Sequence, residues 1–147
     1  MPAISDILGL DSNNFTGTIP ETLYTITNLS RILLNNNPLT GTISGSVGAL
    51  TALTQLVLSN TKIGGTLPTS LFTLINLMDF NITNAQFSGT LSQSFSLLAN
   101  VSDLALNNNS FTGSIPTAFD SLKRLSKFFV DCVEICRILV LSSDKLV

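Results

Sequence analysis

Residues 101–124 read VSDLALNNNSFTGSIPTAFDSLKR, and this stretch decides the fold. Its apolar residues lie at positions 1, 4, 6, 11, 15, 19 and 22 of the stretch: Val101, Leu104, Leu106, Phe111, Ile115, Phe119 and Leu122. Moving towards the N-terminus in steps of 24 residues gives Leu77, Leu53 and Leu29 at the first position. A fixed period of this length indicates a repeat architecture, in which each repeat is one structural unit.

The period divides the chain into five full units and one partial unit. The full units are residues 5–28, 29–52, 53–76, 77–100 and 101–124, and the partial unit is 125–132. We predict one repeat domain at residues 1–132. Residues 133–147 are predicted to form a divergent C-terminal tail or partial cap, because Val133 and Arg137 replace the Asn and Gly of the repeat.

Each unit carries the signals of one short strand followed by a turn and a short helix. Positions 4 and 6 are apolar and two residues apart, so they point to the same side of an extended chain. An Asn-rich turn follows, and Gly occupies position 13 in all five full units, which indicates a positive φ or a close approach between units. Position 16 is Pro or Ser, and the last apolar pair, three residues apart, fits a 3₁₀ or helical turn.

A single unit of this kind cannot bury its own apolar edge. Stacked units bury that edge against each other, and each fully buried Leu or Ile contributes roughly 1.5–3 kcal/mol. We therefore predict an α/β fold, a right-handed coil in which parallel strands lie about 4.8 Å apart.

The pattern L-x-x-L-x-L-x-x-N-x-[LF]-[TS]-G-x-I-P resembles the plant-type leucine-rich repeat of 24 residues, from about Ser5 to Cys132. The resemblance implies a horseshoe-shaped solenoid, with a parallel β-sheet on the concave side and short 3₁₀ or helical turns on the convex side. It also implies an extracellular or membrane-attached recognition domain, as in receptor-like proteins and kinases, that binds a protein, peptide or glycan. A secreted inhibitor of cell-wall-degrading glycosidases is the second hypothesis. A structural or ice-associated secreted protein is the third.

The resemblance places partner binding on the concave face, at positions 3, 5 and 7 of successive units. The predicted binding residues are Arg31, Leu33, Asn35, Gln55, Val57, Ser59, Asp79, Asn81, Thr83, Asp103, Ala105 and Asn107. An exposed apolar pair such as Leu33 and Val57 can mark a contact site. The alternative is a solvated strand surface that tolerates these residues.

A second regular array follows the glycine column, at position 14. It consists of Thr18, Thr42, Thr66, Thr90 and Ser114. A row of this kind could order water, as in ice-binding solenoids, but Ser or Thr is also common at this position in the resembled family.

The composition argues against catalysis and against nucleic-acid binding. The chain has no histidine, so Ser-His, Cys-His and His-metal combinations are excluded. Asp79 and Asp103 share position 3 in successive units, about 5 Å apart, but no third catalytic group accompanies them, and we interpret them as exposed acids. We predict no catalytic, cofactor or metal site, and the net charge of −2 does not indicate a nucleic-acid partner.

Two cysteines and five sequons could carry covalent modifications. Cys132 and Cys136 are predicted either to form a disulfide, since the resembled family often has cysteines in its C-terminal cap, or to remain reduced thiols. Asn-x-Ser/Thr sequons begin at Asn14, Asn28, Asn81, Asn100 and Asn108, and we predict them as glycosylation sites.

The termini lack targeting and capping signals. Residues 1–6 do not resemble a signal peptide, and no run of 18 apolar residues indicates a membrane span. A polar cap is also missing, so we expect either a fragment of a longer chain or association through the uncapped ends of the solenoid.

The Asn at position 9 is replaced in two neighbouring units, by Thr61 and by Ala85. In the resembled family this side chain bonds to the backbone of adjoining coils, and a buried backbone group left without its partner costs roughly 1–3 kcal/mol. We therefore predict a weak region between Thr61 and Ala85.

Overall fold

The computed structural model describes residues 6–131 of the chain. The predicted tail at 133–147 and the cysteine pair Cys132 and Cys136 lie outside the described residues. We number the coils of the structure 1 to 6, after the five full units and the partial unit of the sequence.

Short strands alternate with 3₁₀ helices along the described residues. The strands are β1 (Asp6–Gly9), β2 (Gly17–Thr18), β3 (Leu29–Leu33), β4 (Leu39–Thr40), β5 (Gln55–Val57), β6 (Gly64–Gly65), β7 (Asp79–Asn81), β8 (Gln86–Thr90), β9 (Asp103–Ala105), β10 (Ser110–Thr112) and β11 (Lys127–Phe129). The 3₁₀ helices are Glu21–Thr25, Gly45–Ala49, Thr69–Thr73, Gln93–Leu97 and Thr117–Ser121.

The main sheet takes one strand from each coil. Its order is β1-β3-β5-β7-β9-β11, and all neighbouring strands are parallel. The register joins residues 24 positions apart, so that Arg31 lies opposite Gln55 and Gln55 lies opposite Asp79. The solenoid of stacked parallel strands predicted from the period is therefore confirmed.

Residues with a positive φ recur at two places in every full coil. Gly17, Gly41, Gly65, Gly89 and Gly113 have φ between 77° and 87°. This confirms the reason given for the glycine column, since other residues rarely adopt this conformation. The structure adds a second column at position 8, where Ser12, Asn36, Asn60, Asn84 and Asn108 all have φ of 56°.

A second line of short parallel strands runs through the glycine column. It consists of β2-β4 and β6-β8-β10, and a bridge between Thr42 and Gly64 joins the two groups. Here each Thr of position 14 packs its methyl group on the glycine of the next coil. A Cβ added at Gly65 would lie only 2.9 Å from Cγ2 of Thr42. The exposed Thr row therefore has a packing role inside the stack.

Each 3₁₀ helix is preceded by either Pro or Ser at its N-cap. Pro20, Pro68 and Pro116 precede three of them in an extended conformation. Where Ser replaces Pro, the hydroxyl caps the helix: Oγ of Ser44 accepts from the backbone N–H of Ser46 at 3.2 Å. Ser92 does the same for the N–H of residue 94 at 3.0 Å. Ser thus satisfies one amide donor of the first turn, whereas Pro fixes φ at a value close to that of Ser44 and has no N–H of its own to satisfy.

The core is a rod of side chains between the main sheet and the 3₁₀ helices. Leu53, Leu77 and Val101, at position 1 of three coils, are all 0% exposed. A row of phenylalanines also crosses coils 3 to 6, with ring centroids of Phe72, Phe95, Phe119 and Phe128 spaced 4.9–5.0 Å apart. Stacking of position 1 thus produces a continuous column, whereas the phenylalanine row joins side chains from positions 20, 19, 19 and 4 of successive coils.

The two ends of the rod are less covered. Phe111 and Ile115 are only partly buried, because coil 6 covers them incompletely within the described residues. At the other end, Phe15 and Ile26 are 47% and 44% exposed. They border an apolar hollow of about 580 Å³ that opens in coil 1. Association through the solenoid ends stays a prediction.

The asparagines of position 9 tie neighbouring coils together. Nδ2 of Asn37 donates to the carbonyl of Leu10 in coil 1 at 2.8 Å, and its Oδ1 accepts from the N–H of Phe15 at 3.1 Å. Asn109 makes the equivalent bonds to Ile82 and Phe87 in coil 4, at 2.8 and 2.9 Å. The side-chain bonds predicted between coils are therefore present at both positions.

The same bonds are missing at Thr61 and Ala85, with one compensation. The hydroxyl of Thr61 donates to the carbonyl of Leu58 in its own coil at 2.8 Å, and accepts from the N–H of Ile63 at 3.3 Å. By analogy with Asn37 and Asn109, an Asn at residue 85 would accept a hydrogen bond from the N–H of Ile63. Thr61 already pairs that N–H. The predicted weak region has fewer bonds between coils, but Thr61 replaces part of what is lost.

Candidate functional site

The concave face is the side of the main sheet that turns away from the core. All twelve predicted binding residues lie on it, at the ends of or just after β3, β5, β7 and β9. Arg31 is exposed and the other eleven are half-buried between their neighbours. Strand alternation causes this arrangement, because the residues between them, such as Ile32 and Leu56, point into the core.

The face extends one strand further at each end than the predicted set. At position 3 the register adds Ile7 and Lys127, and at position 5 it adds Gly9 and Phe129. Ile7 is 48% exposed and Phe129 is 45% exposed. The sequence carried the signal for these residues, since they occupy the same positions in the first and last units.

Apolar side chains mark the part of the face near coils 2 and 3. Leu33 and Val57 are directly opposite each other in the register of β3 and β5. Gly9 lies opposite Leu33 on the other side, so no side chain from coil 1 covers it there. This leaves a small apolar area on the same strand face as the exposed Arg31, suitable for one apolar side chain of a partner.

Charged side chains dominate the part of the face near coils 4 to 6. Nε2 of Gln55 donates to Oδ2 of Asp79 at 2.7 Å, and Lys127 forms an ion pair with Asp103 at 2.8 Å. Within residues 6–131 this ion pair is the only one, so Asp79 has a hydrogen bond but no cation in direct contact. Asp79 is therefore the anion on this face that is available to a cationic partner.

The two carboxylates have opposite pKa shifts. Burial raises the pKa of Asp79 above its usual value, the hydrogen bond from Gln55 lowers it in part, and the charge of Asp103 raises it again. The pKa of Asp103 is lowered, first by the hydrogen bond from Lys127 and then by that from Ser102. The sequence indicated two equivalent exposed acids, whereas the structure shows two half-buried acids in different surroundings.

Position 7 and the middle of the face carry hydrogen-bonding groups. Oγ1 of Thr83 donates to Oδ1 of Asn107 at 3.0 Å, and Oδ1 of Asn81 accepts from the N–H of Thr83 at 3.0 Å. Asn81 is at the centre of the concave face, so a glycan attached there would cover the site.

The sequons differ in accessibility. Asn14, Asn28 and Asn108 are exposed, whereas Asn81 and Asn100 are half-buried. Nδ2 of Asn100 also donates to the carbonyl of Ile75 in the preceding coil at 2.8 Å. Glycosylation at these positions stays a prediction, and exposure favours the first three.

Metal-binding clusters and membrane-spanning helices are both absent from the described part of the chain. Residues 6–131 contain no group of three or more His, Cys, Asp or Glu side chains placed to hold a metal ion. None of the helices in this range has the length and apolar character needed to cross a membrane.

The sequence matches the Leucine Rich Repeat family over residues 28–50, 52–74 and 100–122. None of the curated proteins matches it. Among solved structures, the plant peptide hormone receptor RGFR1 in complex with RGF2 is 31% identical with a TM-score of 0.83, over 85% of this chain and 20% of that chain. The Arabidopsis receptor kinase HAESA in complex with the peptide hormone IDA and the co-receptor SERK1 is 28% identical with a TM-score of 0.83, over 86% and 21%.

A shorter relative is covered over most of its length. A chain of the BIR3–SERK2 complex from Arabidopsis thaliana is 27% identical with a TM-score of 0.74, and the alignment covers 85% of this chain and 69% of that chain. In contrast, this chain spans about a fifth of the RGFR1 and HAESA chains.

Proposed function

This chain is a plant-type leucine-rich-repeat protein, and we propose from that premise that it is a non-catalytic recognition module that binds an extended peptide on its concave face. The module would belong to the extracellular part of a receptor-like protein. The observation that carries the proposal is the uninterrupted parallel sheet of six strands, whose outward side chains combine an apolar area with separate charges.

The geometry of the face favours a peptide over a small molecule. Six strands about 4.8 Å apart form a surface of roughly 24 Å, which corresponds to about seven residues of extended chain. The outward residues of the face are spread over several strands, so affinity must come from several side chains along it. An extended peptide distributes its own side chains over the same distance.

The charges and apolar residues suggest the chemistry of the peptide. The area around Leu33 and Val57 would accept one apolar side chain. Asp79, two strands from Leu33 and without a cation in contact within the described residues, would accept an Arg or Lys side chain. Recognition of both groups fixes the direction of the peptide across the strands.

Relatives support the peptide hypothesis by analogy. The structures of RGFR1 with RGF2 and of HAESA with IDA are titled as complexes of plant receptors with peptide hormones. Those receptors are several times longer than this chain, so the comparison supports the class of ligand and not its identity.

The proposal can be tested by selecting binders from a displayed library of random peptides. The variant Arg31→Ala/Val57→Ser/Asp79→Asn removes one cation, one apolar side chain and one anion from the concave face. Its matched control, Lys123→Ala/Leu97→Ser/Asp120→Asn, removes the same types from the convex side and its turns. Thermal unfolding would show that both variants remain folded.

We expect the selected peptides to lose at least about tenfold in affinity for the concave variant and to keep their affinity for the control. We also expect enrichment of peptides that contain both an apolar and a basic residue. Equal affinity for both variants would exclude the concave face as the binding site. A selection that gives no peptide above background would reject peptide recognition itself.

A further inference from the structure

A second surface lies beside the concave face, where the Asn-rich turns of coils 2, 3 and 4 meet. Positions 8, 9 and 10 of these coils form a groove of about 440 Å³. The groove is at the edge of the sheet, and none of the twelve predicted binding residues lines it. It has a floor and two walls of different chemistry.

The residues of position 9 form the floor. Asn37, Thr61 and Ala85 all line the groove, and the last two have smaller side chains than the Asn that bonds between coils at Asn37 and Asn109. Thr61 is buried and Ala85 is half-buried. The two substitutions that remove bonds between coils therefore both lie in the groove.

One wall is a ladder of amides. Nδ2 of Asn84 donates to Oδ1 of Asn60 at 2.8 Å, and Nδ2 of Asn60 donates to Oδ1 of Asn36 at 2.7 Å. Asn36 continues the row to Oγ of Ser12 at 3.2 Å. Each amide has two N–H donors and an oxygen with two lone pairs, so every step of the ladder keeps hydrogen-bonding capacity towards solvent.

The other wall combines a ring, a cation and an amide. Pro38, Lys62 and Gln86 occupy position 10 of the three coils. Lys62 is exposed and has no ion pair within residues 6–131. Its ammonium group is thus available to a ligand, and no carboxylate lines the groove to compete for it.

We propose that this groove binds an acidic oligosaccharide. Sugar hydroxyls both donate and accept hydrogen bonds, as the amides of the ladder do, and the ladder presents such groups once per coil. A sugar carboxylate would pair with Lys62, and the flat face of a pyranose ring would pack on Pro38. The groove is separate from the concave face, so the proposal does not depend on peptide binding there.

The test uses tetragalacturonic acid as the acidic probe and cellotetraose as the neutral probe. Titration calorimetry would give affinities, and amide shifts in NMR spectra would locate the contact. The variant Ala85→Asn places a larger side chain in the floor of the groove, of the type that the fold already accommodates at residues 37 and 109. Lys62→Gln removes the cation, and Lys123→Gln, away from the groove, is its matched control.

We expect the acidic probe to shift the amides of residues 60–62 and 84–86. Ala85→Asn should weaken its binding at least about tenfold, and Lys62→Gln about fivefold, with no change for Lys123→Gln or for the concave variant. Equal binding of the neutral probe, or binding that Ala85→Asn leaves unchanged, would overturn the proposal. Absence of any binding at millimolar probe would overturn it as well.

Discussion

Substitution of alanine along the glycine column should reveal two separate costs. All five glycines need a positive φ, but they differ in the space above them. An added Cβ would lie 2.9 Å from Cγ2 of Thr42 at Gly65, 3.0 Å from that of Thr66 at Gly89, and 3.3 Å at Gly113. At Gly17 no atom lies within 4 Å, so that position isolates the conformational cost.

The magnitudes follow from these distances. A left-handed conformation costs a residue with a Cβ about 1–2 kcal/mol, and this applies to every alanine in the series. Carbon atoms prefer separations of about 3.5–4.0 Å, so the contact at Gly65 adds a packing cost of about 1–3 kcal/mol. We therefore expect Gly65→Ala to lower the free energy of unfolding by about 2–5 kcal/mol, and Gly17→Ala by about 1–2 kcal/mol.

Urea unfolding followed by circular dichroism would measure these differences. The m-value must stay constant between variants, since a solenoid can unfold in parts. Thr42→Ser removes the methyl group that the new Cβ would contact, so the double variant Thr42→Ser/Gly65→Ala should lose less stability than the sum of the single variants. Equal losses at Gly17 and Gly65, or additive behaviour of the double variant, would refute the role assigned to the Thr methyl groups.

Four further predictions concern other positions. Asp79→Asn should raise the melting temperature at pH 7, because the raised pKa of Asp79 means that its ionised form is unfavourable in the fold. The gain should vanish below about pH 4, where the carboxyl is protonated in the unfolded chain too. Asp103→Asn should lower the melting temperature at pH 7, and this effect should disappear as the pH falls through the lowered pKa of Asp103. Melting temperatures measured from acidic to neutral pH would check the opposite effects of the two substitutions. Gly64→Ala should lower the free energy of unfolding in urea by about 3 kcal/mol or more, although Gly64 does not have a positive φ. The reason is that its Cβ would lie 2.3 Å from the backbone oxygen of Gln86. A smaller loss than for Gly65→Ala would contradict this. Ala85→Asn should raise the melting temperature through at most about 1 kcal/mol from bonds to the preceding coil, because Thr61 already pairs the N–H of Ile63. A decrease would argue against a stabilising role for the Asn of position 9.

Much of the fold could be predicted from the sequence. The 24-residue period predicts one strand and one 3₁₀ turn per coil, and the register of the main sheet confirms the spacing. The second short strand of each full coil, in the glycine column, is not predicted by it. The glycine column predicted the positive φ values. These features depend on residues close together in sequence, so a single unit contains the information for them.

Less of the site could be predicted. Alternation along the strands placed Arg31, Val57 and Asp79 on one face, but could not distinguish the surroundings of Asp79 from those of Asp103. The difference arises because Lys127, 24 residues after Asp103, reaches that carboxylate and does not contact Asp79. Likewise, the sequence indicates only a loss of stability at Thr61 and Ala85, whereas the structure shows that both line a groove.

The sequence by itself therefore determined the repeat, the conformation of each coil and the set of side chains on each face. Only the tertiary structure decided which side chain of one coil contacts which of the next: the Thr methyl on the following glycine, the amide ladder, and the unequal carboxylates. The physical reason is one of distance along the chain. Local backbone preferences act within a few residues, whereas these contacts join residues 23 or 24 positions apart and exist only when the coils are stacked.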